Sequence, residues 1–168
     1  MTQRIVADAG PLIALARTGY LSLLRDLFGV VEIPPAVQAE LRLDSNMPGA
    51  TVLRVAVRTD RWIRRRTLRK PRGSLGLALG AGETEAILLA DERKGVLLID
   101  ERRGRRAAMA KGIALIGTAR ILLEAKQRGL IKEVVPALRA LTESGYRITA
   151  ELREHIRRIA GENSQPGQ

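Results

Sequence analysis

The stretch "GVLLIDERRGRRAAMAKGIALIGTARILLEAKQRG", residues 95–129, decides the fold. Gly95 stops the helical run Glu83–Lys94, and VLLI follows as a continuous apolar strand ending at Asp100. A helical segment over Arg102–Lys111 is then stopped by Gly112, a residue favoured just past helix ends. A second apolar strand, IALI, leads into Gly117-Thr118, and Thr118 can cap a helix running to Arg128 before Gly129. The unit of glycine, apolar strand, turn and helix thus occurs twice in succession. Continuous apolar strands alternating with helices predict a parallel sheet covered on both faces.

Working outward, RIVAD (4–8) is a short buried strand ending at Asp8, and Pro11 suits the first turn of the helix that follows. LIALART and LSLLRDLF are helical, broken near Gly19 and Gly29, and VVEI is another apolar run closed by Pro34-Pro35. AVQAELRL then predicts a helix with Val37 and Leu41 on one face and Glu40 beside them. Residues 44–82 are rich in glycine and proline and least legible, with a helix or strand near 50–58 and a strand near Trp62. Within them RWIRRRTLRKPR (61–72) holds seven basic residues and no acid, as a loop or edge strand would. Toward the end, a helix over about 134–144 stops at Gly145, and a last helix capped by Thr149 buries Leu152, Ile156 and Ile159. The fold expected is α/β, a parallel sheet of four to five strands sandwiched by helices in three layers. It occupies residues 1–160, with 161–168 as a disordered tail.

Composition narrows the chemistry. The chain has 168 residues and no cysteine, which excludes disulfides, thiol catalysis and zinc–thiolate sites. Its one histidine, His155, rules out a histidine-rich metal site within one chain. Any metal must be held mostly by carboxylates, which suits hard ions such as Mg²⁺ or Mn²⁺. The net charge is +11, and all but five of the 29 basic residues are arginine, a surface that favours a polyanion such as nucleic acid. Aromatic residues are only 2%, too few for a base-stacking platform, so contacts to the phosphate backbone should dominate. No apolar run approaches the roughly 18 residues of a membrane span. The start, MTQRIVAD, lacks a signal-peptide h-region, so the expected location is cytoplasmic.

Ligands of open parallel sheets bind at the carboxyl ends of the strands. Asp8 leaves one apolar strand and Asp100 another, and the helix start bearing Glu83 and Glu85 precedes the second. Acids gathered in one crevice repel one another unless a cation neutralises them. A divalent ion can activate water for displacement at phosphorus. Each acid also has a plainer reading. Asp8 and Asp100 are natural helix caps, Glu83 and Glu85 complement a helix dipole, and Glu40 is an ordinary solvated helix residue. Gly80-Ala81-Gly82 lacks the lysine of a phosphate loop and is a turn or hinge before the helix. Of the four arginines after Asp100, Arg103 and Arg106 share a helix face, so these two are the candidates for contact with RNA. An aspartyl-phosphate receiver would need a lysine after a later strand, where IALI leads only to Gly117-Thr118.

RIVADAGPLIALA, IPPAVQAEL, GAGETEAILLA and LLIDERRGRR, in this order, resemble the PIN-domain nucleases, and IGTARILLEAKQRGLI fits the same pattern. The likeness is to the branch with a D-x-x-P-L-I start and a G-E-x-E-A-I helix, and it covers about residues 4–160. It implies a ribonuclease dependent on Mg²⁺ or Mn²⁺, commonly the toxin of a toxin–antitoxin pair, dimeric and inhibited by a small antitoxin. Asp8 then matches the first acid, Glu40 the second and Asp100 the acid after the later strand. Glu85 fits the acid of the intervening helix best, with Glu83 close behind. Asp8, Glu40, Glu85 and Asp100 are the catalytic candidates, and Asp8, Asp100, Glu85 and Glu83 the metal candidates. The chain departs from the pattern at Ala9-Gly10, where relatives commonly carry a hydroxyl. That departure motivates the alternative, a non-catalytic PIN-like module binding RNA or an antitoxin with a decayed site.

Overall fold

A computed structural model describes residues 3–69, 75 and 78–162. The far end of the basic run (70–72) and the tail residues 163–168 lie outside them. Five short strands form one sheet: β1 (Ile5–Ala7), β2 (Val31–Ile33), β3 (Ile63–Arg65), β4 (Val96–Leu98) and β5 (Leu115–Ile116). Their order is β3-β2-β1-β4-β5, and every pairing is parallel. The three central strands are buried along their whole length, which is why, apart from Ala7 and the ion-paired Glu32, they carry β-branched and leucine side chains without alternation.

The helices are α1 (Ala9–Thr18), α2 (Ser22–Phe28), α3 (Pro35–Glu40), α4 (Ala50–Arg54), α5 (Ala81–Arg93), α6 (Arg102–Ala110), α7 (Thr118–Gln127), α8 (Val135–Glu143) and α9 (Ala150–Ile159). They form two packed groups. α1 meets α4 and α8, while α2 meets α7, which meets α9; on the other side α5 packs on α3, α6 and the sheet. This is the three-layer α/β/α sandwich expected from the sequence.

Several boundaries differ. Of IALI only Leu115 and Ile116 pair, and both are half-buried because β5 is a sheet edge. The region near 50–58 is a short helix that widens into a π-helical turn over Val55–Thr59. The basic run supplies edge strand β3, with Arg64 and Arg65 exposed and Trp62 buried at its start. In α9 the Thr149 hydroxyl accepts the Leu152 amide at 3.2 Å, so the cap is present. Only Ile156 is buried there, however; Leu152 and Ile159 are exposed, because α9 leans on α7 by its middle turn. The described residues run on to Glu162. The Glu162 carboxylate binds Lys126 at 2.6 Å and the amides of Val134 and Val135 at 2.6 and 2.9 Å, capping the start of α8.

Candidate functional site

Strand order reverses between β1 and β4: the chain runs outward from β1 through β2 to β3, then returns to the other side of β1. Crevices at such a reversal, beyond the carboxyl ends of the strands, are where open α/β sheets place ligands. Asp8 directly follows β1, and its amide donates to the Leu98 carbonyl at 3.0 Å, extending the β1–β4 ladder by one residue. Asp100 follows β4 by two residues. The two carboxylates therefore leave neighbouring strands on the same edge.

Asp8 is only 7% exposed. It occupies the N-cap position of α1 but makes no capping bond, and its Oδ1 is buried without a hydrogen-bond partner. Burial pushes its carboxyl up to about 6; the Ala9 amide pulls it down in part, and the charges of Glu83, Glu40 and Asp100 add to the rise. Ala9-Gly10 brings no hydroxyl to this carboxylate, and the Gly10 Cβ position lies 4.0 Å from its other oxygen, Oδ2.

Asp100 is held quite differently. Its Oδ1 accepts the Thr118 amide at 3.0 Å, and its Oδ2 accepts the Thr118 hydroxyl at 2.6 Å and the Tyr146 hydroxyl. It thus caps α7 across the strand edge, not its own following helix α6. Gly117 allows this approach, because a Cβ there would start 2.8 Å from Asp100 Oδ1. Burial, then the Asp100 charge, hold the Tyr146 phenol well above its ordinary value, so it is a proton donor here.

The three glutamates divide. Glu85, only 2% exposed, accepts the Ala36 amide at 2.8 Å, at the first turn of α3. Glu40, near the end of α3, accepts the Gly82 amide at 3.0 Å, at the first turn of α5. α3 and α5 therefore cap each other reciprocally, and Gly82 leaves room for the Glu40 carboxylate, which a Cβ there, 2.5–2.7 Å away, would displace. Glu83 reaches back to the Gly80 amide at 3.0 Å, and of the neighbouring acids its charge acts most on Asp8. The charges of Glu83, Glu40 and Asp100 act on Asp8, and each of the three glutamates also accepts a backbone amide, Glu85 that of Ala36 in α3.

On α6, Arg103 and Arg106 are exposed, with no ion-pair partner among the described residues. Arg105 instead turns inward and donates to the Ile99 carbonyl at 2.7 Å, bracing the end of β4. Sequence reasoning missed this brace, and it missed Tyr146, which lies 46 residues beyond Asp100 in a connection without a recognisable motif.

Among the described residues, no three acidic or histidine side chains stand close enough together to enclose a metal ion. The donor set nevertheless suits a hard cation. Asp8 offers an unpartnered oxygen, and Asp100 keeps an acceptor position, since a carboxylate has about four and three are used. Mg²⁺ keeps several waters and needs only one or two protein carboxylates.

Comparison with known proteins agrees with this architecture. A search of the curated proteins finds no match. Among solved structures, a PilT N-terminus domain protein from the archaeon Sulfolobus solfataricus is similar, with a TM-score of 0.52 and 16% identity over 72% of this chain and 92% of that one. A domain of a functionally unknown protein from Methanocaldococcus jannaschii also aligns, with a TM-score of 0.47 and 22% identity over 68% of this chain and 90% of that one. The family profile described as PIN domain matches residues 4–162, nearly all of the sequence. The chain therefore belongs to the PIN-domain family, whose members are generally nucleases.

Proposed function

We propose that the protein is a Mg²⁺- or Mn²⁺-dependent endoribonuclease. The observation that carries this reading is the buried, unpartnered Asp8 oxygen at the reversal of strand order, beside Asp100, in a PIN-domain chain. A divalent ion at Asp8 and Asp100 supplies charge neutralisation at phosphorus and a water more easily deprotonated than bulk water. The chain's own residues do the rest. Asp8 and Asp100 hold the ion, and Glu83 and Glu40 keep the crevice negative and can hydrogen-bond the waters around it. Arg103 and Arg106, on the outer face of α6, contact the phosphates that flank the scissile bond.

The test is cleavage of single-stranded RNA with Mn²⁺ or Mg²⁺. Cleavage stops with EDTA and falls at least 100-fold in Asp8→Asn and Asp100→Asn; activity surviving both substitutions sinks the mechanism. The D-x-x-P-L-I and G-E-x-E-A-I motifs support a further extension, in which the enzyme is a cytoplasmic, homodimeric toxin restrained by a small antitoxin protein. Solution mass of the purified chain tests the dimer, and expression with the neighbouring reading frame tests the antitoxin.

The second reading is a PIN-like module that binds RNA or an antitoxin without cutting. Two observations favour it: Ala9-Gly10 lacks a hydroxyl, and Glu40 and Glu85 are both engaged with backbone amides. RNA binding with no uptake of Mn²⁺ in calorimetry decides for it.

A further inference from the structure

Asp100 is fixed by a residue that lies outside every motif read in the sequence. Tyr146 sits in the connection between α8 and α9, with Gly145 before it in a left-handed conformation, φ 89°. Its hydroxyl donates to Asp100 Oδ2, the oxygen that also accepts the Thr118 hydroxyl, while the Thr118 amide takes one position on Oδ1. With Oδ2 doubly engaged, the acceptor position left on Asp100 is on Oδ1. Thr118 is fully buried and Asp100 half-buried, so few other carboxylate orientations are open.

We propose that Tyr146 is a positioning residue for the metal site: it holds Asp100 Oδ2, fixes the carboxylate plane, and leaves the open acceptor position on Oδ1 for the ion. The inference rests on the metal-dependent reading above. Groups that orient a ligating carboxylate in this way typically contribute 10- to 100-fold in metal affinity. A tyrosine hydroxyl is suited to the task because it donates to a carboxylate from a rigid ring. Tyr146 thereby ties the turn before the last helix into a site built on β1 and β4.

The experiment is Mn²⁺ titration, by calorimetry and by the electron-spin signal of free Mn²⁺, of the full chain and its variants. Wild type binds, and Asp8→Asn abolishes binding. Tyr146→Phe keeps the ring and its packing, and it weakens binding about 10-fold or more while unfolding as cooperatively as wild type. Thr118→Val weakens binding as well, and Thr118→Ser, which restores a hydroxyl, recovers it. Mn²⁺ bound by Tyr146→Phe as tightly as by wild type, or more tightly, overturns the proposal and leaves the metal-dependent reading standing. Absence of Mn²⁺ binding by wild type overturns both.

Discussion

At pH 8 and without metal, the protein must hold the Asp8 carboxylate charged where burial favours the acid. Its pKa, about 6 in the native state, lies above the ordinary value of 3.8, so between these the native state binds more protons than the unfolded chain. Stability therefore falls as pH rises through that window, and the full cost, on the order of 3 kcal/mol, applies above it. Asp8→Asn is expected to be more stable than wild type by up to that amount in urea with EDTA at pH 8, and equal to it near pH 3. Gly10→Ser tests whether a hydroxyl beside the Asp8 carboxylate relieves it. The new hydroxyl would start from a Cβ 4.0 Å from Asp8 Oδ2, and Gly10 needs no left-handed conformation. The variant should fold normally and lower the Asp8 pKa, as followed by carboxyl-carbon NMR; an unchanged titration refutes the account. The strand-end acids, Asp8 and Asp100, are legible in the sequence because apolar runs stop on them. What those carboxylates touch is not legible, since Thr118 and Tyr146 come from elements far along the chain.

Within α5, Glu83 accepts the Gly80 amide of its own first turn and Glu85 the Ala36 amide of α3. Glu83→Gln should weaken Mn²⁺ binding severalfold, while Glu85→Gln, which keeps a carbonyl acceptor for Ala36, should leave it within twofold. The reverse order of effects would restore Glu85 as the ligand. β2 carries another buried acid, Glu32, gripped by Arg93 of α5 at 2.7 and 2.8 Å and by Arg66 at 3.0 Å. Burial alone would raise its carboxyl, but the hydrogen bonds of Arg93 and Arg66 outweigh burial and hold it below the ordinary value. The contribution is thus present above the ordinary carboxylate pKa and lost as pH falls below it. Glu32→Gln should cost about 2–3 kcal/mol at pH 7, less than a fully buried pair because Arg66 is half-exposed, and the cost should shrink by pH 3. The α5–β4–α6–β5–α7 succession is plain in the sequence because glycines punctuate it. Leu152 and Ile159 misled because helical periodicity marks a face but not whether anything covers it, and nothing in the residues 44–82 announces a π-helical turn.

Across the whole molecule, an acidic crevice is set in a chain of net charge +11. Such a protein should bind RNA mainly through phosphates, so the affinity of the inactive Asp8→Asn variant should fall steeply and linearly on a log–log plot against salt. Arg106→Ala should reduce that slope by about one without changing sequence preference. An unchanged slope would remove Arg106 from the contact surface. Class and layering follow from strand–helix alternation and were legible; strand order was not, because it depends on which buried strands pair. That order has a consequence for synthesis. Asp8 emerges from the ribosome early, yet its neighbouring strand β4 arrives some ninety residues later, and Tyr146 later still. If the ribonuclease reading proposed above holds, the nascent chain carries only part of its site during translation, and cleavage of the ribosome's own message must wait until synthesis is nearly finished.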